Sequence, residues 1–97
     1  MIKKKLAPVF NSIKFLDILK QYKVKRIAIF GSYARGTVTG KSDIDFLVEF
    51  KPDADLLDQV GLKQDLEKLL RKKVDVVSRK ALNKYIREKI LAEAVYL

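Results

Sequence analysis

The segment from Gly31 to Asp45, GSYARGTVTGKSDID, constrains this chain more than any other part of its sequence. It joins two short apolar runs, residues 26–30 (RIAIF) and residues 43–50 (DIDFLVEF). The first run is rich in branched and aromatic side chains and stops at a glycine, which predicts a buried strand followed by a turn. The second run alternates between apolar and polar residues, which predicts a strand with one face in the core.

The alternation places two carboxylates on one side of the second predicted strand. Asp43 and Asp45 share a face with Leu47 and Glu49, while the other face is apolar, with Ile44, Phe46, Val48 and Phe50. Two residues at this spacing lie roughly 6–7 Å apart, so one hydrated cation fits between their carboxylates. On a D-x-D pattern alone, two solvated aspartates at a strand end are the simpler interpretation, but the glycine-serine turn upstream favours a cation site.

Gly31 and Ser32 supply the features of a phosphate-binding turn. A glycine lets the backbone approach a phosphate closely, and the amides and the hydroxyl that follow it can donate hydrogen bonds. A short helix opening at Ser32 would add a favourable dipole for anions. The alternative is an ordinary strand-to-helix turn in which the serine caps the helix.

The residues Gly40, Lys41 and Ser42 resemble the end of a P-loop, but the rest of that motif is missing. A P-loop requires a glycine five residues before the second one, and position 35 is an arginine. A P-loop lysine and serine also open a helix, whereas a strand pattern follows here. The sequence therefore argues against a P-loop ATPase.

The pair of motifs, GSYARG and SDIDFLVEF, resembles the minimal nucleotidyltransferases of the DNA polymerase β-like superfamily. Their pattern is a glycine-serine turn and, after a spacer, Asp-hydrophobic-Asp. Residues 74–77 (VDVV) resemble the strand that carries a third carboxylate, and residues 82–97 resemble the closing helix. The resemblance covers nearly the whole chain as a single domain, residues 1–97. It implies an α/β fold with a small mixed β-sheet and flanking helices.

Asp75 interrupts an apolar run, which predicts a carboxylate close to the core. A buried charge is costly unless it is paired or bound to a metal ion. A salt bridge to a neighbouring lysine is the alternative. The resemblance implies that Asp75 is the third acidic residue, which helps to bind metal and to deprotonate the attacking hydroxyl.

The resemblance implies nucleotidyl transfer, in which an acceptor hydroxyl attacks the α-phosphorus of ATP and pyrophosphate leaves. Two Mg²⁺ ions are expected, held by three residues that are also catalytic: Asp43, Asp45 and Asp75. The expected nucleotide-binding residues are Gly31, Ser32, Arg35 and Ser42. For Arg35, a solvated arginine on a helix is the alternative.

Composition narrows the chemistry further. The 97 residues include no histidine and no cysteine, which excludes histidine bases, thiol nucleophiles and the usual zinc sites. No apolar run is long enough for a membrane span and no signal peptide is recognisable, so we expect a cytoplasmic protein without membrane contact. The net charge of +9 permits nucleic-acid binding. It does not indicate it, because few aromatic residues lie among the basic clusters.

Three helices are expected around the strands. Residues 11–23 predict an amphipathic helix with Ile13, Phe15, Leu16 and Leu19 inward. A second helix, capped by Asp53 or Asp55, is expected to run to Lys72 with Leu56, Val60, Leu66, Leu69 and Leu70 inward. The last helix is expected to bury Leu82, Ile86, Ile90 and Ala94.

The chain has little room for a second module that would recognise an acceptor. The resemblance implies that a partner protein is the acceptor: a helical HEPN toxin, silenced by AMP transfer to a tyrosine within a hetero-oligomer. Two alternatives stay open. The chain could be an antitoxin that acts by binding alone, or a nucleotidyltransferase that acts on RNA ends or a small molecule.

Overall fold

A computed structural model of the protein describes residues 9–36 and 43–97. These residues form four helices, four strands and one 3-10 turn, in an order that alternates helices with strands. The elements are α1 (Ile13–Gln21), β1 (Val24–Phe30), α2 (Ser32–Arg35), β2 (Ile44–Phe50), α3 (Leu56–Leu70), β3 (Val74–Ser78), the 3-10 turn (Arg79–Ala81), α4 (Lys84–Glu93) and β4 (Val95–Tyr96).

The four strands form one mixed sheet in the order β3-β2-β1-β4. β1 pairs antiparallel with both β2 and β4, whereas β2 and β3 run parallel. The antiparallel pair needs only a connection at one end of the sheet, while the parallel pair needs a crossover, which α3 provides. The mixed sheet with flanking helices, implied by the resemblance, is confirmed.

The core lies on one face of the sheet. Register places Ile29, Phe46 and Val76 side by side across β1, β2 and β3. Helices α1 and α3 cover this face with their own buried side chains, and the cluster includes Phe15, Leu62 and Leu66. The opposite face is also partly covered, because Ala28 and Leu47 are buried there. β2 is therefore held from both sides, which fixes its direction and register.

Two predicted helix faces are partly wrong. In α1, Phe15 is buried, but Ile13 and Leu16 are exposed. The inward stripe instead runs through Phe15, Leu19 and Tyr22, at the spacing of one helix face. Sequence hydrophobicity alone does not rank the two apolar faces of such a helix.

In α3 the inward stripe begins later than expected. Leu62 and Leu66 are fully buried and Leu69 and Leu70 pack on the core, whereas Leu56 and Val60 are exposed. Asp55 caps this helix through a reciprocal pair of hydrogen bonds with Asp58, which selects between the two caps that were predicted.

The closing helix is shorter than expected at both ends. Asn83 caps α4, and its side chain accepts a hydrogen bond from Ile86 N. The helix ends at Glu93, because Ala94 adopts an extended conformation. β4 follows and pairs with Ala28 and Ile29. Ile86 is exposed, contrary to the prediction, and the end of the chain completes the sheet instead of extending the helix.

Tyr22 ties the end of α1 to α3. Its hydroxyl donates a hydrogen bond of 2.6 Å to Asp65 Oδ2. Its ring lies over Gly61, where a Cβ atom would come within 2.9 Å of Tyr22 Cζ. The glycine in the middle of α3 thus admits the aromatic ring between the two helices.

In the part of the chain that the structure describes, no helix has the length and apolar character needed to cross a membrane.

Candidate active site

Three strand ends meet at one edge of the sheet and bring the predicted site residues together. Phe30, the last residue of β1, pairs with Asp45 near the start of β2. Asp45 in turn pairs with Asp75 on the parallel strand β3. Because paired residues share a face of the sheet, the Asp45 and Asp75 side chains project to the same side. Gly31 and Ser32 follow Phe30 directly, so the turn and the carboxylates lie next to one another.

The carboxylates differ in their surroundings. Asp45 is half-buried, whereas Asp43, just before β2, is exposed. Asp75 is also exposed, so the expectation that its charge lies near the core is wrong. Its side chain is on the face away from the buried Val74 and the partly buried Val76, and the apolar run around it does not predict this.

Burial raises the pKa of the Asp45 carboxyl above its ordinary value. The charges of Asp75 and Asp43 raise this pKa further, while Arg35 lowers it. Negative charges that disfavour the ionisation of Asp45 also attract a cation to the space beside it. This is electrostatic support for a cation site at the sheet edge.

Gly31 adopts a backbone conformation that is open to glycine alone, with φ 76° and ψ −149°. A Cβ atom at this position would overlap Asp45 Oδ2 and would lie 3.2 Å from Asp45 Cγ. The turn and the carboxylate are therefore packed directly against each other. This contact explains why the glycine-serine turn and the Asp-x-Asp pattern occur together in the sequence, because one residue from each forms it.

Glu93 belongs to the same site, although no sequence pattern predicts this. Its Oε1 atom accepts a hydrogen bond of 3.1 Å from Gly31 N. Its carboxylate also pairs with Arg35 Nη1, at 3.3 Å from Oε1 and 3.2 Å from Oε2. In the sequence, Glu93 is one of two acidic residues on a polar helix, far from the glycine-serine turn, so no pattern distinguishes it.

The remaining nucleotide-binding predictions have different outcomes. Arg35 ends α2 at the site, where its side chain is about half exposed. Ser32 begins α2 and is partly buried. Tyr33, which follows it, is buried in the main core and anchors this short helix. Ser42 lies outside the described residues, as do Gly40 and Lys41.

Among residues 9–36 and 43–97, no group of three or more His, Cys, Asp or Glu side chains is already arranged to hold a metal ion. Asp43, Asp45 and Asp75 could still contribute ligands to a magnesium ion. Magnesium takes oxygen donors and commonly combines one or two carboxylates with water and substrate phosphates. The donor set fits an ion that a nucleotide completes.

A cavity of about 600 Å³ lies at the opposite end of β2, around Phe50, Pro52 and Leu56. Lys25, Arg79 and other basic residues line it, but none of the predicted site residues does. The cavity is thus separate from Asp43, Asp45 and Asp75.

Comparison with known proteins matches this arrangement to one family. The model of the nucleotidyltransferase domain family matches residues 12–97. A Methanocaldococcus jannaschii protein, named as a candidate protein adenylyltransferase, is 48% identical over 82 residues, which are 84% of this chain and 88% of that protein. The protein adenylyltransferase MntA of Thermococcus cleftensis is 37% identical over 81 residues, covering 84% of this chain and 82% of the relative.

Solved structures that resemble this chain support the same family assignment. A candidate minimal nucleotidyltransferase superposes with a TM-score of 0.85 at 37% identity, over 100% of this chain and 97% of the other. The crystal structure of a toxin–antitoxin with AMP-PNP gives a TM-score of 0.73 at 27% identity, over 89% of this chain and 71% of the other. The strand-end carboxylates and the glycine-serine turn are thus found in a chain that belongs to the nucleotidyltransferase domain family and is an enzyme of its minimal nucleotidyltransferase group.

Proposed function

We propose that the protein transfers AMP from ATP, with Mg²⁺, to a tyrosine hydroxyl of a partner HEPN toxin in the cytoplasm, and that it acts in this way as an antitoxin. The observation that carries the proposal is the pairing of Asp45 with Asp75 beside the Gly31 turn. It places carboxylates and the glycine-serine turn at the same edge of the sheet, where Asp43 and Asp75 are exposed.

The reaction forms one bond and breaks one. The acceptor hydroxyl oxygen bonds to the α-phosphorus, the bond from that phosphorus to the α,β-bridging oxygen breaks, and pyrophosphate leaves with the electron pair. The hydroxyl proton passes to a carboxylate, for which Asp75 is assigned as the base. When bound, Mg²⁺ supplies Lewis acidity at the phosphates and lowers the pKa of the acceptor hydroxyl.

The other residues bind and orient the nucleotide. Asp43 and Asp45 would hold the metal ion, and with it the triphosphate, at the sheet edge. Ser32 and Arg35 contact the phosphates, together with the side chain of Ser42, and Gly31 shapes the turn that brings Ser32 to them. Holding the α-phosphorus in line with the acceptor oxygen turns a bimolecular reaction into one between fixed groups, which is a major part of the acceleration.

The comparisons support the choice of a protein acceptor. Relatives at 37% and 48% identity carry the name of protein adenylyltransferase, and a related solved structure at 27% identity is a toxin–antitoxin that contains AMP-PNP. That solved structure, as a toxin–antitoxin, supports a hetero-oligomer in which the toxin is the acceptor. Binding without transfer is the competing antitoxin mechanism, and the carboxylates at the sheet edge argue against it.

The test is transfer of label to the co-purified partner protein. The complex is incubated with Mg²⁺ and ATP labelled either on the α-phosphate or on the γ-phosphate. The proposal requires label from the α-position alone, lost in EDTA and mapped to a tyrosine. Label from the γ-position would indicate a kinase, and no label in a stable complex would indicate an antitoxin that acts by binding.

A further inference from the structure

Glu93 is placed at the candidate active site by the fold itself. Helix α4 ends at Glu93, and β4 then pairs Val95 with Ile29 on β1. Because Gly31 follows Ile29 by two residues and Glu93 precedes Val95 by two, the antiparallel pairing sets the two residues opposite one another. The C-terminal strand thus delivers a carboxylate to the glycine-serine turn.

We propose that Glu93 is a positioning residue for nucleotide binding: it orients Arg35 and fixes the Gly31 turn so that both meet the triphosphate. This inference rests on the proposed function and assigns a residue to that same site. Three contacts carry it, one from the Gly31 amide and two from Arg35 Nη1.

The arginine remains available to a phosphate while it is paired. A guanidinium group has five N–H donors in a planar fork, and the contacts with Glu93 use Nη1 alone. Among the described residues, Arg35 forms a salt bridge with no other carboxylate. Its side chain is 53% exposed, so the Nε and Nη2 donors can face an incoming anion. The pair holds the fork in one orientation and leaves part of it free.

The Gly31 amide is hydrogen-bonded within the protein. Its N–H points to Glu93 Oε1, so this amide is engaged before a nucleotide arrives. The hydrogen bond fixes the peptide that leads into Ser32, in a backbone conformation that only glycine adopts readily. Glu93 therefore maintains the shape of the turn, and the donors that follow the turn are left for phosphate.

The negative charge of Glu93 repels a triphosphate, and this repulsion provides a test of the proposal. Glu93 adds a carboxylate to a site that already contains Asp43, Asp45 and Asp75 and that must accept a triphosphate. If Glu93 merely occupied the place of a phosphate, its removal would strengthen nucleotide binding. If it positions Arg35 and the turn, its removal weakens nucleotide binding. The sign of the change separates the two roles.

The experiment is calorimetric titration of the complex with α,β-methylene-ATP, which binds but cannot transfer AMP, with Mg²⁺ and again in EDTA. We expect Glu93→Ala to weaken binding about tenfold, as the loss of a group that orients a ligand-binding residue does. Glu93→Gln should lie between this variant and the wild type, because it can still accept from Gly31 but no longer carries the charge that pairs with Arg35. The control is Glu88→Ala, an exposed acidic residue on the same helix, which should leave binding unchanged.

Coupling with Arg35 completes the test. If Glu93 acts through Arg35, the double variant Arg35→Ala/Glu93→Ala should bind little more weakly than Arg35→Ala alone. Equal or tighter binding in Glu93→Ala would overturn the positioning role, and fully additive losses would overturn its action through Arg35. A wild-type protein that binds no nucleotide would instead overturn the proposed function. Thermal unfolding of every variant verifies that each remains folded.

Discussion

Gly31 and Asp45 are in direct contact at the sheet edge, so closely that a single added methyl group on Gly31 would overlap the Asp45 carboxylate. The contact joins the end of β1 to the start of β2, the two places where the sequence motif concentrates its unusual residues. It also explains why a glycine must precede the serine: the backbone conformation and the space both require it.

We expect Gly31→Ala to lower the free energy of unfolding by about 2–3 kcal/mol and to abolish nucleotide binding. The reason is that alanine strains the backbone in this conformation and its methyl group displaces the Asp45 carboxylate. Gly36→Ala is the matched control. Gly36 also has φ 76°, but a Cβ there would meet no atom within 4 Å, so its cost should stay near 1–2 kcal/mol, about that of the left-handed conformation itself. Urea unfolding and nucleotide titration measure both effects. Equal losses in the two variants would show that the contact with Asp45 is unimportant.

Asp45→Asn should lower the rate of AMP transfer by about a thousandfold or more, because a metal ligand is lost. The same change should raise the Tm of the metal-free protein. Burial and neighbouring carboxylates raise the folded-state pKa of Asp45, so its stabilising influence is complete at low pH and is lost as the pH rises through that raised pKa. At neutral pH the ionised carboxylate is destabilising, and the neutral amide relieves this. An unchanged or lower Tm in EDTA at pH 7 would contradict the electrostatic description of the site.

Asp75→Asn should lower kcat about a hundredfold while the dissociation constant for Mg-nucleotide changes less than about threefold, as expected of a general base. Single-turnover transfer and calorimetric binding separate the two quantities. Asp43→Asn provides the comparison, because a metal ligand should lose both. Parallel losses for Asp75→Asn would make it a metal ligand only.

Tyr22→Phe should lower the free energy of unfolding by about 1 kcal/mol, because it removes the hydrogen bond to Asp65. That hydrogen bond raises the Tyr22 pKa above its usual value of 10.0. The stabilisation is therefore complete below pH 10.0 and is lost as the pH rises through the raised pKa. Urea unfolding of both proteins at neutral and at strongly alkaline pH measures this. Tyr85→Phe is the control, since Tyr85 is largely exposed; a difference between wild type and Tyr22→Phe that grows with pH would refute the assignment.

The sequence predicted the centre of the fold well because the signals there are local. The strand that carries Asp45 and the turn at Gly31 follow from period-two alternation and from glycine chemistry, which depend only on neighbouring residues. The choice of buried face in α1 and α3 depends instead on which partner each helix meets. Ile13 and Leu56 were predicted inward on hydrophobicity but are exposed. Phe15, which was also predicted inward, and Leu62, which was not, are buried.

Long-range contacts limit how much of the candidate site can be predicted from the sequence. The link from Glu93 to Gly31 spans 62 residues and exists only because β4 pairs with β1. The pairing was missed because residues 82–97 continue an apolar helical spacing, and two residues of strand leave no detectable pattern. Asp75 was placed on the correct strand, but its exposure depends on the direction of a sheet face that a single short run does not define.

The most direct test of the account is the intact mass of the partner protein after incubation with this enzyme and Mg-ATP, with Asp45→Asn as the control enzyme. The proposed function predicts AMP-sized mass increments on the partner that are absent with the control enzyme. Peptide mapping should assign these increments to tyrosine. The proposed function would be contradicted if the partner stayed unmodified by wild-type enzyme that is folded and binds nucleotide. It would also be contradicted if the increments persisted with Asp45→Asn.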